Sequence, residues 1–185
     1  MNNNCLFASR DFSEVQQQTL QKLQKALASA SNESMAAASF TNDLKLKYGF
    51  RPIELRAAQA SDSPAEGPNG SIVVTLSVPF TGTLELFSCQ ASQYVLNPQI
   101  GSATADKPGS SYDGHVTLTY QSQDADPEKY KQWKATQLAA LELKISWINN
   151  DVAVHYGAMA QTIERGVADR KDQLAKLEAF KKGIT

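Results

Sequence analysis

The sequence predicts an α+β fold: N-terminal helices, a small antiparallel sheet of about four strands, and a long C-terminal amphipathic helix. Three changes of hydrophobic period predict it. Apolar residues recur at helical spacing from Phe12 to Tyr48, alternate through Ile72, Val74, Leu76, Val78 and Phe80, and return to helical spacing after Pro127. Period two puts one face of a strand in a core, and period 3.6 does the same for one face of a helix.

In order along the chain, Asp11 followed three residues later by Glu14 forms a helix start, and Phe12, Val15, Leu20, Leu23, Leu27 and Ala30 give the helix an apolar face over about 12–30. A second helix is expected over Glu33–Tyr48, started by Ser31 or Asn32 and closed by a left-handed Gly49. Pro52 favours an extended Arg51–Leu55. Residues 58–70 concentrate Pro, Gly, Ser and Asp and read as a linker or long loop. Strands follow over 71–80, Thr83–Ser88, Gln93–Leu96, around Ile100, and over His115–Gln121, with a turn-rich loop at Asp106–Gly114. The resulting division is 1–57 helical, 58–70 linker, 71–123 sheet and 126–182 helix, together one structural unit.

The last third carries the strongest pattern. Asp126, Pro127 and Glu128 give a cap, a proline at the first helical position and an acidic first turn. Leu141, Ile145, Ile148, Val152, Tyr156, Met159, Ile163, Val167, Arg170, Leu174 and Leu177 then follow in ten steps over 36 residues, the period of a straight helix. Such a helix over about 127–181 would be ~80 Å long, with Asn149–Asp151 and Gly157 as the places for a break. A second stripe, Thr136, Ala140, Leu143, Trp147, Val154 and Ala158, stops at residue 158, so the first half is expected to be buried on two sides. Ile163, Val167, Arg170, Leu174 and Leu177 carry one stripe that needs a cover. A second copy of the chain, a partner protein or the chain's own N-terminal helices would supply it.

Eighteen basic against nineteen acidic side chains leave a net charge of −1, which argues against a nucleic-acid partner held through many phosphates. Cys5 and Cys89 read as free thiols of a reducing compartment, and neither a signal peptide nor a membrane span is visible, so the cytoplasm is the expected location. No catalytic, cofactor or metal site is expected. His115 and His155 lack a second ligand at metal spacing, Cys89 lacks a neighbouring base, and Glu142-Leu143-Lys144 sits in a helix where a nuclease Glu-x-Lys pair needs a strand. Tyr130, Trp133, Trp147 and Tyr156 fall at helical spacing and read as core or interface, and Lys129, Lys131 and Lys134 as a solvated face.

The passages DLKLKYGFRPIEL (43–55), SVPFTGTLELFSCQASQYVLNP (77–98) and HVTLTYQSQDADPEKYKQW (115–133), with Trp147, Asn149 and Asp151 in the long helix, resemble the N-terminal region of a group of uncharacterised bacterial proteins. In that group such a region precedes a restriction-endonuclease-like domain, which would be expected to begin where this chain ends. The resemblance carries over no catalytic residue. It implies a recognition or assembly module of a bacterial nuclease or antiviral defence system, acting as a homo-oligomer or on a protein partner through the stripe Ile163, Val167, Arg170, Leu174 and Leu177. The alternative is a small-ligand or nucleotide sensor using Gly109, Ser110 and Ser111 of the Asp106–Gly114 loop as donors.

Overall fold

The computed structural model describes residues 5–93 and 99–184. Its helices are α1 (Phe12–Ser29), α2 (Asn32–Ala36), α3 (Phe40–Tyr48) and α4 (Pro127–Ile184), and α4 is continuous through Asn149–Asp151 and Gly157. Its strands are β1 (Cys5–Leu6), β2 (Arg10–Asp11), β3 (Glu54–Leu55), β4 (Ser61–Glu66), β5 (Ile72–Thr83), β6 (Cys89–Gln90), β7 (Gln99–Ile100), β8 (Ser102–Ala105) and β9 (Tyr112–Ser122). The chain forms two compact units where one was expected. The first combines the residues up to Phe12 with Arg51–Val152, and the second combines Ser13–Phe50 with the chain from Ala153 on.

The first unit is built on a five-stranded antiparallel sheet in the order β3-β5-β9-β8, with β4 also on β5. The alternation in β5 becomes burial, because Val74, Leu76, Val78 and Phe80 are buried with Val116 and Leu118 of β9. The register sets Leu76 opposite Leu118 and Val78 opposite Val116, pairing like with like across the two strands. Gly114 has no side chain for a steric reason: a Cβ there would lie 1.9 Å from the Thr104 carbonyl of β8. Short pairs complete the unit, β1 antiparallel to β7 and β2 parallel to β6.

Two expectations fail here. Residues 58–70 are not a linker, since β4 pairs with β5 over six positions from Ser61–Ser77 to Glu66–Ile72. Every residue of β4 is exposed, so the strand leaves no alternation of burial to read and pairs through its backbone ladder. Pro64 is tolerated because β4 is an edge. The hairpin turns at Asn69 (φ 57°, ψ 32°) and Gly70 (φ 72°), both left-handed, with Ser71 N–H donating to Pro68 O at 3.2 Å, as in a type I′ turn. The strand expected over Thr83–Ser88 is a 3₁₀ segment at Leu84–Ser88. It buries the consecutive residues Leu86 and Phe87, which a strand would send to opposite faces, and Phe87 packs edge-on against Phe80 with ring centres 4.6 Å apart. The strand expected at Gln93–Leu96 falls mainly on 94–96, outside the described residues.

The N-terminal part of α4 supplies Leu141, Ile145, Ile148 and Val152, all buried, to this unit. Asn149 uses its amide as a strand would use a peptide group. Ile53 N–H donates to its Oδ1 and its Nδ2 donates to Ile53 O, each at 2.8 Å. Two residues on, both carboxylate oxygens of Asp151 are engaged by Ser92, one by its N–H at 2.7 Å and one by its hydroxyl at 2.6 Å. The second apolar stripe is not buried as expected: Leu143 is 51% and Val154 75% exposed.

In the second unit α1, α2 and α3 enclose the later part of α4. Leu23, Leu27, Ala30, Met35, Leu44, Tyr48, Ile163 and Val167 form its buried core, flanked by Leu20, Phe40, Met159 and Leu174. The helix expected over Glu33–Tyr48 is split, because Ala37 is extended (φ −63°, ψ 126°) and redirects the chain between α2 and α3. A capping box of Ser31 and Ser34 starts α2. Gly49 is extended (φ −82°, ψ 146°) rather than left-handed, and its requirement is space, since a Cβ would meet Lys45 O at 2.4 Å. Gly166 leaves room for the end of the Leu27 side chain, since a Cβ there would lie 2.6 Å from Leu27 Cδ1.

Candidate functional site

The five residues expected at a partner interface have different fates, and the expectation is corrected for most of them. Ile163 (1% exposed) and Val167 (6%) are buried in the second unit by the chain's own α1 and α3. Arg170, a cation in the middle of an apolar stripe, donates from both Nε (3.3 Å) and Nη2 (3.2 Å) to Ala30 O just past the end of α1. It satisfies a carbonyl that the end of α1 leaves without a helical partner and places its charge at the negative pole of that helix. Leu174 packs partly on the same core. Only Leu177 remains largely exposed, and there the stripe continues: Leu177 (47%), Phe180 (67%) and Ile184 (70%) lie within one face of α4 by their spacing of three and four.

A second feature lies in the first unit, at the start of α4. Pro64, Ile72, Val74, Tyr120, Pro127 and Tyr130 line a pocket of about 270 Å³, with Asp62, Asp124, Ala125 and Asp126 beside them. Tyr130 is stacked on Trp133 and edge-on to Tyr120, with ring centres 5.8 and 5.4 Å apart. The Tyr130 hydroxyl donates to Asp62 Oδ1 at 2.6 Å, and Lys134 Nζ reaches the other oxygen at 2.8 Å. Burial raises the Asp62 pKa, but the bonds from Lys134 and Tyr130 outweigh it and hold the carboxyl below its ordinary value. Burial and the same carboxylate push the Tyr130 hydroxyl well above the usual phenol range, so it stays a donor. In the sequence Tyr130 belongs with the aromatic residues and Lys134 with the lysine face, and nothing there joins them. Their partner Asp62 was missed because it lies in β4, and the Asn69-Gly70 turn is the signal that would have placed it.

The lysines read as a solvated face are all paired: Lys129 with Asp124 at 2.7 Å, Lys131 with Glu128 at 2.7 Å, and Lys134 with Asp62. In the Asp106–Gly114 loop the donors of Ser110 are used within the loop itself. Ser110 N–H bonds to Lys107 O, and the Ser110 hydroxyl donates to Tyr112 O at 2.6 Å. His115 Nδ1 lies 2.6 Å from Asp106 Oδ1, and His155 is exposed on α4. Among the described residues no group of three His, Cys, Asp or Glu side chains is placed to hold a metal, and no helix is long and apolar enough to cross a membrane.

Cys5 and Cys89 are both free thiols. Burial pushes the Cys89 thiol up to about 11 from an ordinary value of 9.0, with a further push from Glu85. Between those two values the unfolded chain releases a proton that the folded chain keeps, so this thiol's contribution to stability is whole below pH 9 and is lost as pH rises towards 11. Iodoacetamide at pH 8 is therefore expected to alkylate the partly exposed Cys5 and to spare Cys89 until urea unfolds the protein. Mass spectrometry of tryptic peptides would check it, and early modification of Cys89 would contradict its burial.

No protein-family model, curated protein or solved structure matches this chain. The chain is an α+β protein, and among its described residues α4 carries an exposed apolar stripe and its start borders an aromatic, carboxylate-rimmed pocket.

Proposed function

We propose that the chain is a non-catalytic assembly or recognition module that acts through protein contacts of α4. The observation that carries this reading is the uncovered end of the stripe, Leu177, Phe180 and Ile184. Of the stripe's members from Met159 on, Ile163 and Val167 are buried in the chain's own core and Met159 and Leu174 pack on it, so this contact surface begins about where Leu174 ends. Covering the exposed parts of three such side chains contributes about 3–5 kcal/mol, less than most estimates of the ~4–15 kcal/mol cost of association. A second copy of the same stripe doubles the buried surface, so self-association is the simplest use of it. The link to a nuclease or defence system rests only on the resemblance of 43–55, 77–98 and 115–133 with Trp147, Asn149 and Asp151.

Light scattering across a wide concentration range tests the proposal. The expected result is a mass that rises above the 20.1 kDa monomer and falls back to it in a Leu177→Asp, Phe180→Asp double variant. A strict monomer at every concentration, with identical proteins captured from a host lysate by wild type and variant, would sink it.

A further inference from the structure

We propose that the pocket at the start of α4 binds an organic cation with a compact apolar body, of the quaternary ammonium class. The inference stands apart from the helix stripe and rests on the first unit alone.

The walls are carbon-rich. Ile72 and Val74 of β5, Pro64 of β4, Pro127 of α4 and the rings of Tyr120 and Tyr130 line a half-open pocket of about 270 Å³. Such walls favour apolar matter, and the ionisable groups beside them choose its charge. Apart from the tyrosines these are Asp62, Asp124 and Asp126, and no lysine, arginine or histidine lines the pocket.

The start of a helix normally attracts anions through its free N–H groups. Here that attraction is spent. Pro127 has no N–H to offer, and the next two N–H groups, of Glu128 and Lys129, donate to Asp126 Oδ1 at 2.9 and 3.4 Å. A phosphate or carboxylate would find few donors and three carboxylates, two of which already hold the nearby lysines. A cation finds carboxylates and two aromatic rings, the pair of attractions by which aromatic sites hold quaternary ammonium groups.

The carboxylates differ in what they can give. Asp62 is committed to Tyr130 and Lys134, and Asp126 caps the helix. Asp124 is an exposed side chain whose carboxylate is held by Lys129 Nζ at 2.7 Å, with both partners more than half exposed. That ion pair is of the weak surface kind. In this arrangement Asp124 is the group that turns to the ligand, and Lys129 is its competitor within the chain.

Isothermal titration calorimetry with choline, against its uncharged carbon isostere 3,3-dimethylbutan-1-ol, tests the proposal at matched ionic strength on three proteins: wild type, Asp124→Asn and Lys129→Ala. Both substitutions fall on the surface. Choline is expected to saturate and to bind about two- to fivefold tighter than the alcohol, the range of an exposed cation–aromatic contact. Asp124→Asn should weaken choline binding by a similar factor, and Lys129→Ala should tighten it. Neither change should alter the response to the alcohol. Absence of saturable choline binding overturns the proposal, as does equal binding of both ligands or an equal choline affinity in all three proteins.

Discussion

Replacing Asn149 with alanine is expected to lower the melting temperature by about 6–12 °C, from a loss of about 3 kcal/mol. Its amide holds both polar groups of the Ile53 backbone, at 2.8 Å each, and Ile53 is only 2% exposed. Alanine leaves a buried N–H and a buried C=O without partners, and the cost is the desolvation of each. Aspartate at the same position would keep the acceptor for Ile53 N–H but set a carboxylate oxygen against Ile53 O, so it is no remedy. The neighbouring Asn150 is exposed, and its change to alanine should move the transition by little. Thermal melts followed by circular dichroism would decide it, since equal transitions for the two variants would remove the special role of Asn149.

Ile163→Ala is expected to cost about 2–5 kcal/mol, because it opens a cavity in a packed core. Leu177→Ala, on the same stripe four positions and about four turns further along, should stay near 0.5 kcal/mol. The physical difference is cover: Ile163 is 1% exposed among Leu23, Leu27, Leu44 and Tyr48 of its unit, whereas Leu177 is 47% exposed. Urea unfolding at two protein concentrations separates this from a partner interface. A core residue shifts the midpoint equally at both concentrations, and an interface residue shifts it in a concentration-dependent way. An unchanged midpoint for Ile163→Ala would contradict its place in the core.

The sequence made the regular elements legible wherever burial falls on one face. The alternation from Ile72 to Phe80 became the inner row of β5, and the 3.6 period from Leu141 became α4 without a break. Elements held in other ways were not legible. β4 has no buried side chain, so only the Asn69-Gly70 turn and a backbone ladder define it. Leu84–Ser88 buries neighbours in sequence, which no periodic template describes. The stripe also illustrates a limit of periodicity. It reports that a face is buried and is silent on whether the cover is a partner or the chain itself, and only Arg170, unexplained by hydrophobicity, hinted at a local acceptor.

The pocket was not legible because its parts come from β4, β5, β9, α4 and the segment 124–126 between the last two. Asp62 and Pro64 lie on β4, Ile72 and Val74 on β5, Tyr120 on β9 and Tyr130 on α4. The sequence did show Asp126-Pro127-Glu128 as a helix start. That this start also withholds its N–H groups from an anion follows only once Asp126 is seen to accept from the two residues after Pro127.

The core of the second unit has a consequence for the chain as it is made. Leu27 must wait for Ile163, 136 residues later in the sequence. At about 5–20 residues per second, that is a delay of roughly 7–30 s. During it the apolar faces of α1 and α3 are complete but lack the stretch of α4 that closes their core. Until that stretch is made, the apolar faces of α1 and α3 are surface without their cover and open to other apolar matter.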